Sequence, residues 1–233
     1  MKTAVVTGAG SGIGEAIARR LLADGWSVLG WDRRPGELEG VTWRQVDVTE
    51  HEQVMTAAGE LDSVDVLVNC AGVGGIHPAA ELPHAAWQRI IGVNLSGAFS
   101  CCQALFPALS AGGGLVVNLA SVMAHRATPG RAAYSASKAG LVMLTEVLGL
   151  EWAEHGIRVV AVSPGYTNTP LVRKAIADGN LDEERLLAEI ALRRLAEPDE
   201  VAEVVHDLAS GRLAYLTATT IRLDGGWGTR AAR

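Results

Sequence analysis

A doubly wound α/β fold is what the sequence predicts, with a parallel sheet of about seven strands and helices on both faces. Three observations lead there. Short runs rich in Val, Ile and Leu alternate with longer helix-like stretches along the 233 residues. Several of those runs are apolar at consecutive positions, as expected of strands covered on both sides. A glycine-rich turn joins the first run directly to the first helical stretch. Strand–helix alternation means crossover units, and crossovers mean parallel strands.

Taken in order, the elements read as follows. Thr3–Thr7 is the first strand, followed by a helix over Ile13–Asp24. Its five-residue apolar run ends at glycine and is too short for a signal peptide. Ser27–Asp32 and Thr42–Asp47 are the next strands, then comes a helix over Glu50–Glu60 and a strand over Val64–Asn69. Gly72–Pro83 breaks the rhythm with Gly, Ala and Pro. A long helix is expected over Trp87–Leu109, a strand over Leu115–Leu119, a second long helix over Tyr134–His155 and a strand over Arg158–Ser163. Pro170–Glu197 carries two short helical patterns with mixed charge. It reads either as a substrate cover or as a surface helical hairpin. A helix over Pro198–Ala209 and a strand over Thr219–Leu223 complete the set. Both irregular segments follow strand carboxyl ends, where open α/β sheets bind ligands. No linker or repeat divides residues 1–233, so one domain is expected.

Composition narrows the class. Hydrophobic residues are 48% and charged residues 20%, a globular balance, and the net charge is −6 with no long basic run. Nucleic acid is therefore not the expected partner. No apolar run approaches the ~20 residues of a membrane helix. Cys70, Cys101 and Cys102 form no disulfide framework, which favours a reducing cytoplasm. The histidines are scattered and the cysteines lack zinc-ligand spacing, so no metal centre is expected.

The turn Thr7-Gly8-Ala9-Gly10-Ser11-Gly12-Ile13-Gly14 carries a T-G-x-x-x-G-x-G pattern. Its glycines let the backbone approach a phosphate, and the helix that follows offers free amides and its positive dipole end. The strict G-x-G-x-x-G form fails at Ile13 and Glu15. Asp32 ends the second strand, where a carboxylate accepts ribose hydroxyls and repels a 2′-phosphate. That favours NAD over NADP. Arg33 and Arg34 follow at once and pull the other way, because arginine holds phosphate. Asp47 ends the third strand. It suits either an adenine contact or a helix cap. Asn69-Cys70-Ala71-Gly72 supplies small residues for a cofactor to lie against.

Tyr134 and Lys138 are four apart, on one face of a helix. The chain holds only three tyrosines and three lysines, which argues against coincidence. Tyrosine, with a pKa near ~10, is a poor base unless a nearby cation stabilises its phenolate. Ser121 stands thirteen residues before Tyr134, just past the fifth strand, and Asn94 lies inside the first long helix.

With these elements in order, the chain resembles the short-chain dehydrogenase/reductase family over nearly its whole length. The resemblance rests on Thr7–Gly14, Asn69–Gly72, Asn94, Ser121, Tyr134/Lys138, Pro164-Gly165 and Asp224-Gly225-Gly226. It implies a Rossmann-type fold and a catalytic tetrad of Asn94, Ser121, Tyr134 and Lys138. Gly8, Ser11, Gly12, Ile13, Gly14, Asp32, Arg33, Asn69, Ala71 and Gly72 would bind the dinucleotide, with Asp47 and Val48 at adenine. Tyr134, Lys138, Pro164, Gly165 and Thr167 would adjoin the nicotinamide end. Two departures stand out. Cys70 replaces the usual asparagine, and the usual glycine before the last strand is replaced within Leu216-Thr217-Ala218-Thr219.

The resemblance further implies hydride transfer between nicotinamide and a secondary alcohol or ketone. Tyr134 would move the proton, Ser121 would hold the oxygen, Lys138 would lower the tyrosine pKa, and Asn94 would position a relay water. Ser121, Met123, His125, Tyr134 and Tyr166 are the expected substrate contacts, with Gly74, Ile76 and Arg131 nearby. Arg131 or Arg126 is suited to a carboxylate, although a surface role fits either arginine. A non-catalytic dinucleotide-binding regulator is the competing reading, opposed by the complete tetrad. Methyltransferases need no Tyr-x-x-x-Lys pair, and the longer epimerases need an added domain. Ala98, Cys101, Cys102, Leu105, Leu141, Leu144, Leu148 and Trp152 recur at helical spacing, more apolar surface than one sheet contact needs. They call for a partner surface; the family resemblance, with which Trp227 near the C-terminus is consistent, implies a homotetramer, with a dimer as the alternative.

Overall fold

The computed structural model describes residues 1–229. Strands β1 (Thr3–Thr7), β2 (Ser27–Asp32), β3 (Val41–Gln45), β4 (Val66–Asn69), β5 (Leu115–Leu119), β6 (Arg158–Pro164) and β7 (Thr219–Leu223) form one sheet. Its order is β3-β2-β1-β4-β5-β6-β7, and every pairing is parallel. The chain winds outward from β1 to β3, then returns to place β4 on the other side of β1. This reversal opens a crevice at the carboxyl ends of β1 and β4.

Consecutive apolar residues in the strands serve two cores. Ala4, Val6, Val28, Val68, Val117 and Val160 pack on one side, against α1 (Gly12–Ala23) and α8 (Pro198–Ala209). Val5, Leu67, Val116 and Val159 pack on the other, against α2 (His51–Ala58), α4 (Gly97–Ser110) and α5 (Ala132–Glu151). Each fully buried Val or Leu contributes roughly 1.5–3 kcal/mol of transfer free energy. Ile17 and Leu21 of α1 meet Val201, Val205 and Leu208 of α8 in that first core. The same two helices are clamped at their rim, where Arg20 Nε donates to Glu203 at 2.8 Å.

The expected long helix over 87–109 is broken. It consists of α3 (His84–Ile91), a π-helical turn over Gly92–Ser96, and α4. A Cβ on Gly97 would lie 2.7 Å from Val48 Cγ2, so glycine there lets α4 pack tightly under the loop after β3. The wide turn directs Asn94 inward, where it is 1% exposed. By composition the stretch His84–Ser110 is apolar enough to cross a membrane. Cys101, Cys102, Leu105 and Leu109 on it are buried against the sheet, which makes it a core helix.

Other expectations shift as well. Strand β3 stops at Gln45, so Asp47 lies beyond the sheet edge, and Glu50 occupies the N-cap of α2. Residues 170–197 hold α6 (Pro170–Ala177) and α7 (Glu183–Glu189). The proposed apolar stripe mostly faces inward: Ala98, Cys101, Cys102, Leu105, Leu141 and Leu148 are buried, and Leu144 and Trp152 pack on the same core. On α4 and α5 the exposed large apolar side chains are Phe99, Met143, Val147 and Leu150 instead. Trp227 is also internal, packed with Met123, Leu186, Ile190 and Leu195 under the Arg126 guanidinium. Ala218, where the family's glycine is expected, takes φ +50°, the left-handed conformation that glycine adopts without strain.

Candidate active site

The crevice at the sheet switch point is a cleft of about 360 Å³. Its floor is the turn from β1 to α1. A Cβ on Gly8 would lie 2.8 Å from Ala71 Cα, and one on Gly14 would collide with the Gly8 carbonyl oxygen. Glycine at both positions lets the turn fold under α1 and against the end of β4. The Thr7 hydroxyl ties these strand ends together by accepting the amides of Cys70 at 3.1 Å and Ala71 at 3.0 Å. Ser11 is the N-cap of α1 but makes no side-chain cap, so the first-turn amides are open to a ligand. Gly8, Ser11, Gly12, Ile13 and Gly14 all line the cleft.

Asp32 faces the cleft from the end of β2. Its Oδ2 accepts the Gly10 amide at 3.1 Å and its Oδ1 the Arg34 amide at 3.2 Å. The carboxylate is thereby fixed, while Arg33 is exposed at the rim. Asp47 and Val48 form the far wall. Asp47 Oδ1 also accepts the Thr49 amide and hydroxyl, at 3.0 and 2.7 Å, so it shapes a turn as well as a wall. Ala71 and Gly72 complete that wall. A glycine cradle, open helix amides and a fixed carboxylate fit a nicotinamide dinucleotide.

Asn69 is not part of the wall. Its amide is buried and donates to Asn118 Oδ1 at 2.8 Å and to Cys102 Sγ at 3.2 Å, beneath the sheet end. Asn118 in turn donates to Thr145 at 2.9 Å. This chain binds β4 and β5 to α5, which makes Asn69 a support of the cleft.

Tyr134 and Lys138 line the cleft, and Ser121 stands with Tyr134 on its neighbouring cavity. Ser121 caps the short 3₁₀ turn Val122–Ala124, its Oγ accepting the Met123 amide at 3.2 Å. It neighbours Tyr134, whose pKa it pulls downward. Tyr134 lies in the first turn of α5 and Lys138 one turn later. Lys138 is 4% exposed, and its Nζ donates to the Leu119 carbonyl at 2.6 Å. Burial pulls the Lys138 pKa down to about 8. Burial also pushes Tyr134 upward, opposed by the neighbouring Ser121 hydroxyl and the positive charge of Arg131. The Lys138 Nζ lies 5.9 Å from the centre of the Tyr134 ring.

Asn94 has no free donor for a water. Its Oδ1 accepts the Val73 amide at 2.8 Å, and its Nδ2 donates to the Val73 carbonyl at 3.0 Å and Ser137 Oγ at 3.1 Å. It pins the loop after β4 to α5.

Tyr134 also walls a second cavity, of about 320 Å³, shared with Ser121, Met123, Gly165, Tyr166 and Arg131. His125 does not line it. His125 is exposed, with its Nε2 3.2 Å from Ser163 Oγ. Thr167 is displaced too: it is buried, its hydroxyl donating to the Gly165 carbonyl at 3.3 Å. Thr169, two residues on, stands at the cleft mouth with Pro164 and Pro170, beside Gly12. The Thr169-Pro170 pair is an N-cap and first-turn signal for α6, and that signal marks the residue in the sequence. Leu171, also unforeseen, borders both cavities.

Known proteins agree with this geometry. The family model described as Enoyl-(Acyl carrier protein) reductase matches residues 8–228. The chain belongs to the short-chain dehydrogenase/reductase family. Within it, the cis-4-hydroxycyclohexanecarboxylate dehydrogenase of Sinomonas cyclohexanicum is 38% identical, over 97% of this chain and 96% of that protein. An uncharacterized short-chain type dehydrogenase/reductase of Sinorhizobium fredii is 37% identical over 96% of this chain, which spans only 43% of that protein's length. The ligand-free aldohexose dehydrogenase of Thermoplasma acidophilum superposes with a TM-score of 0.94 at 32% identity, covering 100% of this chain and 96% of that one. The protein is an oxidoreductase of this family, and the non-catalytic regulator reading has no support.

Proposed function

We propose that the chain is an NAD-linked dehydrogenase of a small secondary alcohol, or equally a reductase of the matching ketone. The observation that carries this reading is Tyr134 standing at the junction of the two cavities, beside Ser121. Bound in the cleft, the dinucleotide supplies a hydride acceptor or donor. The amides of α1 would hold its pyrophosphate and Asp32 its adenosine ribose. Tyr134 Oη would take the alcohol proton in oxidation and return it in reduction. Ser121 Oγ would hold the carbinol oxygen beside it. The Lys138 ammonium, fixed by Leu119, would lie against the nicotinamide ribose. Asp32 supports NAD over NADP, because its carboxylate occupies the place a 2′-phosphate would need.

The whole chain acts as one catalytic domain in this reading, with segment 170–197 covering the substrate: Leu171, Val172 and Leu181 wall the second cavity. The substrate is a small molecule. Phe99, Met143, Val147 and Leu150 supply an apolar face on α4 and α5 suited to self-association as a homotetramer, or as a dimer. A mass measurement by light scattering at micromolar concentration tests that, and a monomer would overturn it. Three reduced cysteines, two of them fully buried, suit a cytoplasmic location. For the chemistry, Tyr134→Phe should lower kcat by on the order of 10²–10⁴-fold with NAD affinity nearly unchanged. Undiminished turnover would remove Tyr134 from the mechanism.

A further inference from the structure

We propose that Arg131 makes the second cavity a carboxylate receptor, so that the substrate is a short hydroxy acid or its oxo acid. The inference rests on the reading above and names the substrate class of the same site. Arg131 precedes α5, three residues before Tyr134, which puts both side chains on one side of the first turn. Its Nη1 donates to the Gly75 carbonyl at 3.2 Å, and its positive charge bears on the neighbouring Tyr166, pulling that pKa downward. Gly75 follows β4 and Tyr166 follows β6, and both belong to the cavity wall. The guanidinium is thus stretched across the cavity between two loops.

Its charge is not neutralised there. No carboxylate lies within ion-pair distance of Arg131 among the described residues, whereas the nearby Arg126 is paired with Glu189. The other charged side chains in the wall, Lys174 and Asp178, pair with each other at 2.9 Å. Arg131 is therefore the uncompensated charge of the cavity. A guanidinium has five N–H donors, and the bond to Gly75 leaves enough for a bidentate carboxylate. The remaining wall is largely hydrocarbon, from Ile76, Val122, Met123, Leu171, Val172 and Leu181. One cation facing an apolar chamber of this size suits an acid group on a short carbon chain. It suits a phosphorylated or polyhydroxylated molecule less well, because most of those oxygens would lack partners. With the acid group on Arg131, the carbinol is directed to Ser121 and Tyr134.

The test measures binding and selectivity separately from turnover. Pentanoate and pentanamide, equal in shape and different in charge, are titrated calorimetrically into the full-length protein, with and without NAD. The wild type should bind pentanoate at least about tenfold more tightly, as expected for a charge-assisted pair. Arg131→Met should bring the two affinities together, and Arg131→Lys should keep part of the difference. Arg131→Gln provides a second neutral variant in case methionine disturbs the fold. In turnover, hydroxy acids of three to six carbons are compared with their amides, and the acid-to-amide ratio of kcat/KM should collapse in the neutral variants, mainly through KM. Equal binding of the two probes by the wild type, or a preference surviving in both neutral variants, would overturn the proposal. So would inorganic phosphate displacing pentanoate at comparable concentration. Absence of turnover with every alcohol, alongside an intact pentanoate preference, would sink the dehydrogenase reading and leave the receptor standing.

Discussion

Replacing Lys138 by methionine removes a buried charge while keeping an unbranched side chain. The lysine is 4% exposed, and burial brings its pKa to about 8 in the folded protein. In the unfolded chain the value returns to about 10.4. Between these two values the unfolded state holds about one more proton than the folded state, so stability rises with pH across that window. Below pH 8 both states are charged, and Lys138 destabilises the fold by its full amount. That amount is on the order of 3 kcal/mol, from roughly 1.4 kcal/mol per pKa unit. The buried thiols act in the opposite sense. Burial pushes Cys70 and Cys102 up to about 12 and Cys101 also upward, so stability falls once unfolded thiols ionise. Both proteins contain these thiols, and their effect cancels in the difference. Urea unfolding of wild type and Lys138→Met at one fixed concentration, from pH 7 to 10, provides that difference. Relative to the variant, the wild type should be flat to about pH 8 and then gain about 1 kcal/mol per unit. The offset at pH 7 is no test, because relief of the buried charge is opposed by about 1–3 kcal/mol for the Leu119 carbonyl left without its donor. A difference that stays constant from pH 7 to 10 would refute the argument, since Lys138 would then titrate like a lysine in water.

Asp32→Asn removes the charge and leaves one acceptor oxygen for the two amides of Gly10 and Arg34, so one of those bonds is lost with the charge; it should narrow the preference for NAD over NADP by roughly tenfold or more. Fluorescence titration with both cofactors checks this, and an unchanged ratio would move discrimination away from β2. Ala218→Gly relieves a left-handed alanine at φ +50°. It should stabilise the protein by about 1 kcal/mol, a rise of roughly 2–4 °C in Tm, and an unchanged or lower Tm would contradict the strain.

Much of this protein is carried by local patterns that need no knowledge of the fold. Consecutive apolar runs can be read as two-sided strands because such a strand has no solvent face. The turn at Gly8–Gly14 can be read because only glycine tolerates that approach to Ala71 and to its own carbonyls. Tyr134 and Lys138 can be paired because a helical turn sets their spacing. What the tertiary structure alone decides are encounters between distant segments. Asn94 is absorbed by Val73 and Ser137, and Asn69 by Asn118 and Cys102, because β4, β5 and α5 close over them. His125 turns toward Ser163, and Thr169 rather than Thr167 reaches the cleft, because the loop after β6 chooses which side chain faces inward. The inward face of α4 and α5 holds the residues that resembled an exposed stripe, since periodicity marks a face without saying which neighbour covers it. By sequence Arg131 suits either a carboxylate or the surface; the loops after β4 and β6, meeting around it, put it in a cavity wall. Periodicity is a property of one segment, whereas the environment of a charge is set by every segment packed against it.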